Sequence, residues 1–335
     1  MKISASIYSN KERTVEDLAQ ELDSCHIDYF HVDCNDDLLV FDDVSRIRKV
    51  SSTPIDMHII SDTPEKYFDK ILEHKIEFVS FQYENIKGKL DFPETNDTQF
   101  GLAIVSDTSV DVFEEYKDDC DFVLIMTTTP GQSGGKFRPD NFRKVRDFRN
   151  NYPGKSIEVD GGVNDEVGFI LRMMGVNSVV SGSYLVNHES IATALLHLKS
   201  SIIHSDFKVK DFAIPVENCP TLVDGDYKMT DIIRQIDDYN LGFTFITKST
   251  GEFVGLSSNA DVRHGMLRHL DDLNAIESED IINRNPVTIN ENSTISELLH
   301  LIQSKKFLIS FLPVVNDQNK LTGGLSFINL IRSES

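Results

Sequence analysis

The segment FHVDCND, residues 30–36, passes from strand-forming residues into a cluster of polar ones. The segments DMHII, residues 56–60, and IEVDGG, residues 157–162, repeat this pattern further along the chain. In a barrel of parallel strands, the loops that follow the strands converge on one face, so polar clusters at strand ends meet there. The three segments therefore indicate an α/β enzyme whose chemistry lies at the carboxyl ends of parallel strands.

Outward from these segments, the first 200 or so residues alternate short apolar runs with amphipathic stretches. Strands are predicted at residues 3–8, 29–34, 55–60, 78–83, 101–105, 122–127, 156–159 and 178–181. Helices are predicted at residues 15–24, 43–50, 64–74, 110–117, 141–150, 166–174 and 190–199, and none over 84–99. Eight strands with crossovers predict a compact (β/α)8 TIM barrel, because a doubly wound sheet rarely needs eight strands in so short a chain.

The composition fits two domains, since 335 residues with 40% hydrophobic content can bury two cores. A formal charge of -21 argues against a nucleic-acid partner or an anionic membrane surface, because either would be repelled. A phosphorylated small molecule stays open as a substrate, because backbone amides can bind phosphate without basic side chains.

The four cysteines are scattered and form no CxxC pair, which suits a reducing compartment. The first ten residues, MKISASIYSN, lack the apolar run of a signal peptide, and no long apolar stretch follows. We therefore expect a cytoplasmic location.

The three strand-end clusters supply the side chains for a metal site. His31 and Asp33 lie two apart on one strand and so point to the same side. With His58 and Asp160 they offer two imidazoles and two carboxylates, which suits Zn²⁺ or Fe²⁺, with Mn²⁺ or Co²⁺ as alternatives. A metal there would stabilise an enediolate, while carboxylates remove a proton from one face of a carbon and return one to the other.

Glycine-containing segments follow three of the later strands. They are PGQSGG at residues 130–135, DGG at 160–162 and SGS at 181–183. The ends of the last two strands are where barrels often bind a phosphate group, through backbone amides. We therefore expect a phosphorylated substrate.

At this point the sequence resembles the ribulose-phosphate 3-epimerase family over residues 1–203. The segments SIYSN, HVDCND and DMHII are similar to the family's opening SILN/SAD, its HxDVMDG and its DxHLM. MTTTPGQSGGKF is similar to MTVNPGFGGQKF, and IEVDGGV and SGSYL match almost directly. The resemblance implies a metal held by His31, Asp33, His58 and Asp160, with Asp33 and Asp160 as the catalytic acid/base pair. It also implies substrate binding by Ser6, His58, Met126, Gly131, Gln132, Ser133, Gly134, Gly161, Gly162, Gly182 and Ser183.

The chain departs from the family pattern around the expected sugar site. Asn35 and Ile60 replace family methionines, while Met126 keeps the third. Gln82 replaces the histidine of the family's FHxE segment, and Gln132 replaces the phenylalanine of PGFGG. We interpret these changes as a substrate site with altered sugar-contacting residues that retains 3-epimerisation. Its substrate would be D-ribulose 5-phosphate or a related ketose phosphate.

Residues 211–335 contain an imperfect internal repeat, whose copies span about 211–272 and 276–335. Each copy reads helix, strand, turn, strand, helix, and the second resembles a cystathionine-beta-synthase (CBS) domain. The resemblance implies an α+β CBS pair, in which an S/T-x-x-D tetrad binds the ribose and phosphate of an adenine nucleotide. Ser258-x-x-Asp261 keeps that tetrad, whereas Ser326-x-x-Asn329 keeps only its hydroxyl. A dimerisation module without a ligand is the alternative for this pair.

The sequence thus leaves three functions open. The first is a metal-dependent sugar-phosphate epimerase, a homo-oligomer whose CBS pair senses adenine nucleotide. The second is a catalytically inactive barrel that serves as a nucleotide-responsive regulatory scaffold, against which the retention of all four presumed ligands argues. The third is an isomerase or decarboxylase of another phosphorylated substrate, because a fold alone does not fix the chemistry.

Overall fold

A computed structural model describes residues 1–131, 134–199, 207–305 and 309–327. The chain divides into two compact units, Met1–Ile203 and His204–Ser335, which are described separately. In the described part of the chain, no helix combines the length and the apolar character needed to cross a bilayer. Cys25, Cys34, Cys120 and Cys219 are free thiols.

The first unit is a closed barrel of eight parallel strands in sequential order, which confirms the predicted fold. The strands are β1 Lys2–Ser6, β2 Tyr29–Asn35, β3 Ile55–Ile60, β4 Phe78–Gln82, β5 Gln99–Val105, β6 Phe122–Met126, β7 Ser156–Asp160 and β8 Ser178–Ser181. Most strand positions are buried, as expected where helices cover the outside and side chains fill the interior.

Helices connect most of the strands. They are α1 Val15–Ser24, α2 Val40–Arg48, α3 Phe68–Glu73, α4 Asp140–Asn151, α5 Asp165–Met173, α6 Ser183–Val186 and α7 Ile191–Lys199. The amino end of α1 is capped by Thr14, whose side chain accepts a hydrogen bond from the backbone of Asp17.

Two predicted helices differ in the structure. Residues Val110–Glu115 form a 3₁₀ helix, and the helix predicted over 64–74 begins with a 3₁₀ turn at Pro64–Tyr67. The turn is consistent with Pro64 at its first position, where proline fixes the backbone without removing a needed donor. The stretch without a predicted helix, 84–99, holds only the end of a 3₁₀ turn, Tyr83–Asn85, before β5 begins.

The register between neighbouring strands sets the layers of the barrel interior. His31 on β2 lies opposite Asp56 on β3, and Asp33 lies opposite His58. Asp160 belongs to β7, which is separated from β2 by β8 and β1. Asp160 can therefore reach the histidines only through the inside of the barrel.

The second unit contains two small sheets. One has the order β10–β11–β12 and the other β13–β14–β15–β9. The strands are β9 Ile214–Pro215, β10 Thr221–Val223, β11 Phe243–Thr247, β12 Phe253–Ser258, β13 Ile289–Asn290, β14 Phe311–Val315 and β15 Leu321–Ser326. The helices are α8 Val209–Phe212, α9 Met229–Asp238, α10 Asn259–Arg268 and α11 Ile295–Gln303.

The two sheets repeat one backbone pattern. Gly255 pairs with Ile246 in the first sheet, and Gly323 pairs with Val314 in the second. Each of these pairs is followed by an irregularity in the register at the next residue of the partner strand. The shared irregularity matches the internal repeat read from the sequence. The last helix of the second copy, and Asn329 with it, lies outside the described residues.

The barrel's outer helices should contribute stability in proportion to their burial, and α7 allows a matched comparison. Leu198 is fully buried beside Gly168 of α5, whereas Leu196 on the same helix is 66% exposed. We expect Leu198→Ala to lower the free energy of unfolding by about 2–5 kcal/mol, because it leaves a cavity. Urea-induced unfolding followed by far-UV circular dichroism measures this change. Leu196→Ala is the control, and an equal loss in both variants would contradict the packing.

Candidate functional site

The structure brings together the four side chains that the strand-end clusters predict. One ligand atom from each of His31, Asp33, His58 and Asp160 lies within 4.8 Å of the others. The Asp33 Oδ1 atom lies 3.4 Å from His31 Nε2 and 3.3 Å from His58 Nδ1. On the far side, Asp160 Oδ2 lies 3.9 Å from His31 Nε2. The group therefore has the size and the donor atoms for one divalent cation.

The atoms that face the centre of this group lack hydrogen-bond partners. His31 Nε2, Asp33 Oδ1 and His58 Nδ1 are all buried and all unpartnered. A buried polar atom without a partner costs free energy, so three of them around one point require an explanation. A cation at that point would bind all three, and the residues therefore fit a metal.

The outer nitrogen of each imidazole is held by a neighbouring side chain. His31 Nδ1 donates to Asp56 Oδ2 at 2.7 Å, and Ser4 Oγ donates to the same oxygen at 2.8 Å. His58 Nε2 lies 2.8 Å from Gln82 Oε1. Such outer partners fix the ring orientation and direct the other nitrogen's lone pair toward a metal.

The two carboxylates of the group have opposite pKa shifts. Burial favours a higher pKa for Asp33, but His31 and His58 outweigh it and hold the pKa of Asp33 well below its usual range. Burial raises the pKa of Asp160 to about 6; His31 opposes this shift and the negative charge of Asp33 adds to it. The pair therefore differs in proton affinity, as expected of a general acid and a general base.

Two buried carboxylates near the group were not assigned a role from the sequence. Asp56 lies two residues before His58, and Glu158 lies two residues before Asp160, so each shares a strand face with a candidate ligand. Burial, reinforced by the charge of Asp56, raises the pKa of Glu158 well above its usual range, and Ser178 Oγ donates to it at 2.9 Å. The two-residue spacing was the signal that could have identified both.

The glycine loops after β6 and β7 lie in close contact. Gly161 and Gly162 have φ angles of 115° and 63°, which favour glycine. A side chain at Gly161 would collide with Thr128, and one at Gly162 would collide with the backbone of Phe137. These two positions therefore require glycine for the loops to approach each other.

The remaining candidate residues for substrate binding occupy the same end of the barrel. Gly182 precedes α6, which begins at Ser183, and it lies against Ser9, whose hydroxyl donates to Ser6 Oγ at 3.0 Å. Met126 is buried at the end of β6, opposite Asp160. Gly131 and Gly134 have φ angles of 68° and 89° in the loop after β6. Gln132 and Ser133 lie outside the described residues.

The residues that depart from the family pattern lie in two different environments. Asn35 lies against the loop after β6. Its amide is so close to Gly131 that a side chain at Gly131 would collide with it. Gln82 is 2% exposed and its amide contacts His58. Gln82 therefore lies beside the His58 imidazole. The sequence had instead predicted that it lines the sugar site.

In the second unit, Ser258 and Asp261 form the capping box of α10. The backbone N–H and the hydroxyl of Ser258 both donate to Asp261 Oδ2, at 2.9 and 2.5 Å. The backbone N–H of Asp261 donates to Ser258 Oγ at 3.3 Å in return. The tetrad thus has a local structural role. Asp261 also lines a cavity of about 520 Å³, together with His264, Leu267, Arg268, Asp280 and Ile282.

The fold and the site together define a (β/α)8-barrel enzyme whose ionisable groups meet at the strand ends. The Ribulose-phosphate 3 epimerase family model matches residues 2–186, and the chain belongs to this family. The prediction of an isomerase of the epimerase type is thereby confirmed. A CBS domain model matches residues 278–334, which confirms the CBS domain predicted at the carboxyl end.

Individual relatives and solved structures are similar to parts of this chain. A ribulose-phosphate 3-epimerase of Eremothecium gossypii is 31% identical over 150 residues, covering 44% of this chain and 63% of the relative. One of Bacillus subtilis is 26% identical over 215 residues, covering 60% of this chain and 99% of the relative. Among solved structures, a CBS-pair protein from Arabidopsis thaliana is 18% identical over 39% of this chain and 95% of its own, with a TM-score of 0.32.

Asp56 provides a test of the outer hydrogen bonds of the site. We expect Asp56→Ala to weaken binding of one Zn²⁺ per chain by about 10- to 100-fold, because it releases the His31 ring. Titration calorimetry on chelator-treated protein measures this affinity. Asp56→Asn keeps an acceptor and should lose less, and Asp42→Ala makes the same truncation at an exposed position of α2. Unchanged affinity in Asp56→Ala would contradict the assignment.

Proposed function

We propose that the barrel inverts C3 of a ketose phosphate, converting D-ribulose 5-phosphate to D-xylulose 5-phosphate or acting on a related ketose phosphate. One observation carries the proposal: Asp33 and Asp160 meet at one cluster although they come from strands on different sides of the barrel. Two carboxylates that approach from different strands can serve the two faces of a single carbon. The named relatives are ribulose-phosphate 3-epimerases, which supports this substrate class.

In the proposed mechanism, one carboxylate removes the proton from C3 and the electron pair of that bond forms an enediolate with the adjacent carbonyl. The other carboxylate, protonated, then delivers a proton to the opposite face of C3. Asp33 and Asp160 exchange these roles in the reverse direction, and the low pKa of one and the raised pKa of the other suit a base and an acid. A divalent cation held by His31, Asp33, His58 and Asp160 would stabilise the negative charge that develops on the substrate.

Zn²⁺ or Fe²⁺ is the cation that this donor set favours, since two imidazoles and two carboxylates form a mixed nitrogen and oxygen site. Mn²⁺ and Co²⁺ would bind the same donors. We place the protein in the cytoplasm, where its four free thiols would stay reduced.

The phosphate of the substrate would bind at the loops after β6, β7 and β8. Gly161 and Gly162 follow β7 and Gly182 follows β8, so their backbone amides are candidates for binding it. Ser183 adds a hydroxyl at the start of α6. Backbone amides of this kind bind phosphate without basic side chains, which suits a chain with a formal charge of -21.

Proton exchange tests the proposed reaction directly. The metal-loaded protein is incubated in D₂O with D-ribulose 5-phosphate and other ketose phosphates, and deuterium at C3 is followed by NMR. We expect exchange in the wild type and a loss of about 10²- to 10⁴-fold in Asp160→Asn at saturating metal, because one proton carrier is removed.

A matched control is Asp165→Asn at the start of α5, which should exchange at the wild-type rate. The absence of exchange with every ketose phosphate would favour the inactive scaffold over the enzyme. Exchange only with a ketose phosphate other than D-ribulose 5-phosphate would identify the substrate as that compound.

We further propose that the CBS pair binds an adenine nucleotide at Ser258 and Asp261. The support is that Asp261 lines a cavity in which His264 and Arg268 could neutralise phosphate charge. The second oxygen of the Asp261 carboxylate makes no hydrogen bond within the capping box and could accept from ribose hydroxyls. Binding there would regulate or organise an oligomer of the enzyme.

The capping box complicates mutation of Asp261, but α11 offers a matched control. Thr294 and Glu297 form a capping box of the same kind at the start of α11. We expect Asp261→Ala to abolish AMP binding measured by calorimetry, whereas Glu297→Ala should retain it despite a similar loss of helix capping of about 1 kcal/mol. AMP binding that survives in Asp261→Ala would place any nucleotide elsewhere.

A further inference from the structure

Gln82 is a buried amide with three polar contacts, two of them short. Its Oε1 lies 2.8 Å from His58 Nε2. Its Nε2 donates to the carboxylate of Glu84 and lies 3.4 Å from the backbone oxygen of Ala103. The amide therefore has acceptors on its nitrogen side and an imidazole nitrogen on its oxygen side.

These neighbours determine which way the amide points. The Glu84 carboxylate and the Ala103 carbonyl can only accept hydrogen bonds, so they require the NH₂ group of Gln82 on their side. With the amide reversed, its oxygen would face two other oxygens. The orientation with Oε1 toward His58 is thus the one that satisfies all the groups.

Glu84 is itself held in place by the end of the next strand. Its other carboxylate oxygen accepts from the backbone N–H of Val105 at 3.1 Å and from the hydroxyl of Thr108. Glu84 therefore presents a fixed acceptor to Gln82, although its side chain lies toward solvent.

The orientation of Gln82 in turn determines the tautomer of His58. An oxygen beside Nε2 requires Nε2 to carry the proton, which leaves Nδ1 with a free lone pair. Nδ1 is the unpartnered atom that faces Asp33 at 3.3 Å. Without Gln82, the proton would favour Nδ1, because Asp33 would then accept it, and that nitrogen could no longer bind a cation.

We propose that Gln82, oriented by Glu84 and Ala103, is a positioning residue that keeps His58 in the tautomer able to bind a divalent cation. The family motif has histidine at this position, which can likewise donate from one nitrogen and accept at the other. The substitution in this chain would thus preserve the donor and acceptor pattern with a group that does not gain a charge. The consequence for metal affinity rests on the cation site of the proposed function.

The test measures the tautomer and the metal affinity separately. The ¹⁵N spectrum of the imidazoles in metal-free protein at pH 8, assigned with a His58→Asn variant, shows which nitrogen of His58 carries the proton. Zn²⁺ affinity is then measured by calorimetry. We expect wild-type protein to show a protonated Nε2, and Gln82→Met to shift the proton toward Nδ1 and weaken Zn²⁺ binding by about 10- to 100-fold.

Three further variants separate this role from packing. Gln82→His should restore both the wild-type tautomer and the affinity, because it keeps the donor and acceptor pattern. Gln99→Met makes the same substitution at the exposed start of β5 and should change neither. Glu84→Gln should give an intermediate effect, since Ala103 still favours the native orientation of the amide.

A Gln82→Met protein that keeps the wild-type tautomer of His58 overturns the inference, whatever its Zn²⁺ affinity. So does a Gln82→His protein that loses the tautomer. Failure of the wild type to bind Zn²⁺, Fe²⁺, Mn²⁺ or Co²⁺ would count against the proposed function instead, and the metal-free spectra would still decide the role of Gln82.

Discussion

The parallel register between β2 and β3 is the constraint on which the site depends. It places His31 opposite Asp56 and Asp33 opposite His58, so each imidazole has a carboxylate on the neighbouring strand. Because the side-chain period of a strand is two, a shift of β3 by one residue would turn Asp56 and His58 toward the outer helices. Closure of the barrel then brings β7 around to supply Asp160 from the opposite side.

This arrangement places several ionisable groups in buried or half-buried positions, where their hydrogen bonds and charges must be matched locally. Asp56 Oδ2 accepts hydrogen bonds from His31 Nδ1 and from the Ser4 hydroxyl. Asp33 lies 3.4 and 3.3 Å from two imidazole nitrogens, whereas Asp160 lies 3.9 Å from that of His31 and has a raised pKa. The asymmetry that suits acid and base roles therefore follows from where each carboxylate enters the barrel.

The sequence was sufficient to predict the barrel, because each strand is a short apolar run bounded by turns and each cluster lies at a strand end. It was also sufficient to predict that His31, Asp33, His58 and Asp160 would meet, since two-residue spacing and barrel closure are general rules. It could not predict the partners of the imidazoles. The contact between Gln82 and His58 joins two neighbouring strands. Which of the two residues donates the hydrogen bond depends also on Glu84 and Ala103. The sequence likewise could not predict that Ser258 and Asp261 hydrogen-bond to each other at the start of α10.

The departures from the family pattern acquire different meanings once their surroundings are known. A substitution beside His58 is restricted by hydrogen-bond polarity, so the role proposed for Gln82 requires it to keep the donor and acceptor pattern of the residue it replaces. Asn35 lies against a glycine loop and is restricted mainly by space. Ile60 ends β3 beyond His58 and is not among the residues that hold the imidazoles. Selection for one reaction would thus restrict substitutions at Gln82 and allow them at Asn35 and Ile60. The chain keeps all four proposed metal ligands while the residues around them differ from the family pattern, as expected when the proposed chemistry is constrained more tightly than the identity of the sugar phosphate.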